Sequence, residues 1–217
     1  MLIDNETVKY FADKYGEDAE RLMWFARTIP KREAMHQNGP LLYQGFLSAI
    51  LMAMKPQVVV ETGVRFGVCS LHVLHAMSVY GSGALWSCDP MHDSEVKLRK
   101  KLEELYGDEI DLLGLERWTF EGTTGNYFLP SLPIVGWDVF IHDSDHSEEN
   151  MAWELDYAWR RVRPGGLIVC DDWQWPDQYV SHKAWDRFAL KHDLNFHIIG
   201  TAAIAEVPVA GAEIEST

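Results

Sequence analysis

The hydrophobic pattern divides the chain into a helical opening and a long stretch in which short apolar runs alternate with amphipathic ones. From Glu6 to Ile29, apolar residues such as Val8, Phe11, Leu22, Phe25 and Ala26 stand three and four apart, predicting an amphipathic helix that Pro30 breaks. A second helix is predicted over 41–54 and stops before Pro56. Val58-Val59-Val60, bounded by Pro56 and Gly63, is instead a β-branched run of the kind buried on both faces of a sheet.

Strand and helix patterns then alternate. Helices are predicted over 68–80, 94–106, 126–132, 148–162 and 177–191. Strands are predicted over 84–88, 118–120, 139–142, 167–170, 195–199 and 202–207. Arg163-Pro164-Gly165-Gly166 reads as the stop and turn between the helix of 148–162 and the next strand. Such alternation needs crossover connections, so the expected fold class is α/β: a doubly wound, mostly parallel, seven-stranded sheet. The last two strands flank Gly200 too closely for a crossover and should form a C-terminal antiparallel hairpin. A chain of 217 residues without repeats or linkers fits one domain. Residues 1–55 are expected to be an N-terminal helical cap of that domain, and 56–217 its ligand-binding body.

Charge narrows the choice of partner. The net charge of −14 argues against a nucleic-acid backbone or an anionic membrane surface. Lys97 to Lys101, the one basic cluster, alternates with acidic and apolar residues and reads as a solvated helix face. No apolar run is long enough to span a bilayer and the acidic first residues do not resemble a signal peptide, so a cytoplasmic location is expected. Cys69, Cys88 and Cys170 lack metal-ligand spacing and read as reduced core thiols.

In an open parallel sheet, ligands bind beyond the carboxyl ends of the strands. Four strand ends carry informative residues. The first is Glu61-Thr62-Gly63-Val64-Arg65-Phe66-Gly67, where two glycines permit a tight turn and close approach to a ligand; an ordinary strand-to-helix turn is the alternative. Its spacing differs from the dinucleotide G-x-G-x-x-G pattern. Asp89, at the second strand end, could accept both hydroxyls of a ribose or cap a helix. Gly122, Thr123 and Thr124 follow the third, suiting either an adenine edge or a plain turn. The fourth feature is the densest: His142-Asp143-Ser144-Asp145-His146 after one strand and Asp171-Asp172 after the next. Crowded carboxylates repel, and a hard divalent cation such as Mg²⁺ would resolve that repulsion.

Together these motifs resemble the class I S-adenosylmethionine-dependent methyltransferases. The resemblance is to the small-molecule O-methyltransferase branch that includes catechol O-methyltransferase and the macrolide-sugar (macrocin and mycinamicin) enzymes. It rests on Glu-x-Gly-x-x-x-Gly, the acid before Pro90, Asp-x-Asp-His-Ser, Arg-Pro-Gly-Gly with Asp-Asp after the following strand, and Tyr43-Gln44-Gly45-Phe46-Leu47. It covers roughly Pro40 to Val207 and implies a Rossmann-like methyltransferase fold. It further implies that Glu61, Gly63, Gly67 and Ser70 lie at the methionine end of S-adenosylmethionine, with Asp89 at the ribose and Gly122 and Thr123 at the adenine. Asp143 would border the cofactor and, with Asp171 and Asp172, hold the metal, while His146 would act as general base.

This chain departs from the branch in Cys69, in Asp172 where catechol enzymes have Asn, and in His142 before the metal acid. The resulting expectation is an O-methyltransferase acting on a small-molecule hydroxyl of a sugar, polyketide or catechol-like compound. Trp173 and Trp175 could wall the acceptor, or could as readily be packing. Alternatives are a metal-independent methyltransferase using His142 or His146, a non-catalytic cofactor-binding domain, and a nicotinamide oxidoreductase. Residues 2–40 would serve as a lid or as the arm of a homo-oligomer.

Overall fold

The computed structural model describes residues 9–10, 13–14, 43–65, 67–91, 95–107, 114–133, 136–173 and 181–209. Most of the helix expected over Glu6 to Ile29 lies outside the described residues, as does most of the expected cap. The helices are α1 (Tyr43–Met54), α2 (Val68–Tyr80), α3 (Glu95–Tyr106), α4 (Gly125–Ser131), α5 (Glu148–Trp159) and α6 (Ser181–Lys191). The strands are β1 (Val58–Thr62), β2 (Ala84–Cys88), β3 (Trp118–Glu121), β4 (Trp137–His142), β5 (Val162–Cys170), β6 (Phe196–Ile199) and β7 (Ala202–Glu206).

They form one seven-stranded sheet in the order β3-β2-β1-β4-β5-β7-β6. The first five strands pair in parallel, and β7 runs antiparallel to both β5 and β6. The fold is therefore the expected doubly wound, mostly parallel sheet with its closing antiparallel hairpin.

The wholly apolar strands follow from burial on both faces. Val59, Leu85, Val139, Ile141, Leu167 and Val169 join Phe46, Leu47, Leu74 and Leu98 from α1, α2 and α3 in one core layer. Their strand neighbours Val60, Phe140, Ile168 and Cys170 face the other layer, with Phe128, Met151, Leu155, Trp185 and Phe188 from α4, α5 and α6. All three thiols are free and buried.

Two boundaries differ from expectation. Helix α5 ends at Trp159, and 162–166, expected to finish the helix and turn, already belong to β5. Trp137 pairs with Val162 but Val139 pairs with Leu167, so Arg163–Gly166 is absorbed as a bulge. Its backbone is satisfied by the neighbouring strand's end, through Gly165 N to Val207 O and Val207 N to Gly166 O. Strand β4 also starts earlier, at Trp137-Asp138. The buried Asp138 carboxylate accepts the Gln57 and Val58 amides at 2.6 and 2.8 Å and pairs with Arg163, which lets an acid sit in a central strand.

Candidate active site

The strand order reverses between β1 and β4, which places a crevice at their carboxyl ends. Hydrogen bonds continue one residue past the strands: Gly63 N to Cys88 O, Asp89 N to Glu121 O, Asp143 N to Thr62 O and Asp171 N to His142 O. The four strand-end motifs therefore converge on one rim.

Gly63 has φ +86°, and a Cβ there would overlap the Asp143 carbonyl oxygen. Only glycine lets the two backbones touch at the switch point. Gly67 sits at the start of α2 and donates to Val64 O at 2.7 Å. Asp89 is buried, and its Oδ2 accepts the amides of Val64 and Arg65 at 2.8 and 2.6 Å. Its Oδ1 accepts the Met91 amide at 2.7 Å. Asp89 thus shapes the turn after β1, and most of its acceptor capacity is already used.

Glu61 is fully buried beneath this turn. Its Oε2 accepts from the hydroxyls of Ser70 (2.6 Å) and Ser87 (2.7 Å), while Oε1 has no hydrogen-bond partner among the described residues. Burial pushes its carboxyl up to about 7 against the opposing pull of those hydroxyls. Ser70, itself fully buried, is tied to the rim through its hydrogen bond to Glu61. Gly122, exposed, and Thr123, half-buried, follow β3.

The acids after β4 and β5 do come together. Burial raises the Asp143 carboxyl well above the ordinary range; the charges of Asp171, Glu61 and Asp172 and a side-chain hydrogen bond with Asp171 add to this. Asp171 Oδ1 accepts the Asp172 amide at 2.7 Å and the Thr201 hydroxyl at 3.1 Å. Asp172 has left-handed backbone (φ 54°), and burial together with Asp171 pushes its carboxyl to about 6. His146 Nε2 stands 3.8 Å from Asp172 Oδ2, and burial, then His142, pulls the imidazole down to about 4. Among the described residues no group of three or more His, Cys, Asp or Glu side chains is arranged to hold a metal ion.

Trp173 packs edge-on against Phe196 at 5.8 Å, and its indole N–H donates to Asp186 at 3.2 Å. Its ring is therefore engaged in packing toward α6, one of the two roles the sequence left open. Trp175 lies outside the described residues.

Sequence reasoning missed one group. Glu154 on α5 is fully buried and accepts hydrogen bonds from Thr62, His142, Ser144 and Asn150. Burial alone would raise its carboxyl, but His142 and the hydroxyls of Thr62 and Ser144 hold it below the ordinary value. An ionised carboxylate only accepts, so His142 Nδ1 carries the proton and donates. A signal existed: Glu154 shares the apolar stripe of Met151, Leu155 and Ala158.

This sheet order, with glycine turn and acids gathered at the switch point, is the class I methyltransferase architecture. Residues 60–173, more than half of the chain, match the family model described as a methyltransferase domain, and the chain belongs to that family. No protein of curated function matches the chain.

Solved structures share the fold. TomG, the O-methyltransferase of Streptomyces achromogenes involved in tomaymycin synthesis and solved with SAM, superposes with a TM-score of 0.60 at 14% identity, covering 94% of this chain and 97% of that one. An O-methyltransferase from Bacillus cereus in complex with SAH gives 0.57 at 13%, covering 95% and 93%. A methyltransferase from Geobacter sulfurreducens gives 0.61 at 14%, covering 96% and 99%. Membership in the methyltransferase family removes the nicotinamide oxidoreductase and the non-catalytic scaffold from consideration. Among the described residues no helix is long and apolar enough to cross a membrane.

Proposed function

We propose that the chain transfers the S-methyl group of S-adenosylmethionine to a hydroxyl of a small molecule, such as a sugar, a polyketide or a catechol-like ring, with help from a divalent cation. The observation that carries this reading is the crowding of Asp143, Asp171 and Asp172 beside His146, next to the Gly63 turn. Fold neighbours solved with SAM and with SAH support the choice of cofactor. The net charge of −14 disfavours nucleic acid or an anionic membrane as the acceptor, and three free buried thiols suit the reducing cytoplasm.

In this reading Glu61, Gly63 and Gly67 border the methionine end of the cofactor, with Ser70 acting through Glu61. The Oε1 left open on Glu61 is an acceptor for its ammonium group. Asp89 offers its remaining acceptor site to the ribose, and Gly122 and Thr123 flank the adenine. The acceptor oxygen attacks the methyl carbon in line with sulfur, the carbon–sulfur bond breaks, and S-adenosylhomocysteine leaves. His146, unprotonated near pH 7, takes the hydroxyl proton, and Asp172 stabilises the imidazolium that forms.

The three carboxylates fit a hard cation such as Mg²⁺ by donor chemistry and by their mutual repulsion. Their side chains do not converge on one point, so binding would have to draw them together. A cation held by Asp143, Asp171 and Asp172 would lower the pKa of an acceptor hydroxyl.

A second reading, metal-independent transfer using His142 and His146, is favoured by the buried Glu154–His142 pair lying 5.5 Å, ring to ring, from His146. Mg²⁺ titration of wild type and of Asp143→Ala/Asp171→Ala, with turnover of an acceptor panel under EDTA, separates the two. The first reading expects an Mg²⁺ heat that the double variant loses, and turnover that EDTA abolishes and Mg²⁺ restores. A silent titration with EDTA-resistant turnover would replace it by the second.

A further inference from the structure

Glu154 is a buried acid on the apolar stripe of α5 that the metal-assisted chemistry does not use. Its exposure is 0%, so it touches neither solvent nor acceptor. Burying a carboxylate is costly unless donors surround it, and here they do. Oε2 accepts from the Thr62 hydroxyl at 2.5 Å and from His142 Nδ1 at 2.8 Å. The Ser144 hydroxyl stands 3.0 Å from both carboxylate oxygens, and Asn150 Nδ2 donates to Oε1 at 3.3 Å. On its remaining side Oε1 abuts Gly125, where a Cβ would overlap it.

The donors come from different parts of the rim. Thr62 ends β1 and precedes the Gly63 turn; His142 ends β4 and precedes Asp143; Ser144 lies on the loop that carries His146. Asn150 fastens the same loop a second time, through Asp145 O at 2.9 Å and Ser144 Oγ at 3.1 Å. An apolar side chain of equal size would fill the space. It would also strand two hydroxyls and an imidazole N–H, and it would unlink the loops on the two sides of the switch point.

We propose that Glu154 is a positioning residue: through Thr62, His142 and Ser144 it fixes the spacing between the turn after β1 and the loop after β4. This deepens the proposed function, since that spacing is the one between the methyl donor and His146, and in that respect it rests on it. The linkage itself does not depend on any ligand.

The test is amide hydrogen exchange and S-adenosylhomocysteine titration on wild type, Glu154→Gln, Thr62→Val and Thr62→Ser. Glu154→Gln keeps the volume but replaces an acceptor by a donor that faces other donors. Exchange should quicken about tenfold in both 62–67 and 143–147 while β4 and β5 keep their protection, the size of one lost charge-assisted hydrogen bond. Affinity for S-adenosylhomocysteine should weaken by a similar factor. Thr62→Val, which removes one donor and stays testable if Glu154→Gln does not fold, should quicken the same two segments, and Thr62→Ser should restore them. Unchanged exchange in both segments for Glu154→Gln and Thr62→Val, or quickening spread evenly over the sheet, overturns the positioning role. Wild-type protein that does not bind S-adenosylhomocysteine would overturn the proposed function instead, and the exchange data would still decide the role of Glu154.

Discussion

Glu61 shows how one side chain couples folding to binding. It is buried with an open oxygen, and its carboxyl titrates at about 7 in the folded chain against 4.5 for the ordinary group. The folded state therefore holds this proton more tightly, and the contribution of Glu61 to stability is fully present below 4.5 and is lost as pH rises to about 7. Glu61→Gln should flatten that decline in denaturant unfolding measured from pH 4 to 8; an unchanged slope would assign the decline to other groups. Cofactor binding runs the other way, because an ammonium favours the ionised acid, so affinity should rise with pH across the same window and Glu61→Gln should remove the rise. Gly63 makes a sharper demand. Gly63→Ala combines a left-handed backbone with overlap of the Asp143 carbonyl. It should cost at least ~1–2 kcal/mol in unfolding experiments, as well as cofactor affinity. An alanine variant of native stability would mean that the turn can open at no cost.

At the scale of elements, the sheet separates stability from chemistry by its two ends. Asp138, toward the amino end of β4, satisfies the amides that open β1 and pairs with Arg163 in the bulge of β5. Asp138→Ala should lower stability by about 1–3 kcal/mol by leaving the Gln57 and Val58 amides and Arg163 without their acceptor. Cofactor affinity at the opposite end should be unchanged, and calorimetry on the same variant reads both. The same elements explain what the sequence revealed. Val58–Val60 and Leu167–Cys170 were legible as strands because both their faces are covered, which leaves an uninterrupted apolar run. Arg163-Pro164-Gly165-Gly166 misleads because proline and glycine read locally as a stop, whereas the strand passes through them as a bulge closed by Val207. Trp137-Asp138 was missed because an acid is at home in a central strand only when amides and an arginine from distant sequence meet it. Glu154 stood out in the sequence only as an acid on an apolar stripe; its role did not, because its donors lie as many as 92 positions away.

Over the whole molecule, the chain order of the strands does most of the functional work. Running outward from β1 to β3 and then back to β4 and β5, it brings the tips of β1 and β4 together, and with them Gly63, Asp143 and Glu154. The candidate site was readable because glycine turns and acids at strand ends mark that rim in one dimension. How those acids share protons, and what holds their loops apart, depends on the assembled sheet. The most direct test of the central claim is calorimetric titration of the full chain with S-adenosylmethionine. The account predicts a saturable one-to-one heat that Gly63→Ala abolishes, whereas wild-type protein that takes up no S-adenosylmethionine would contradict it.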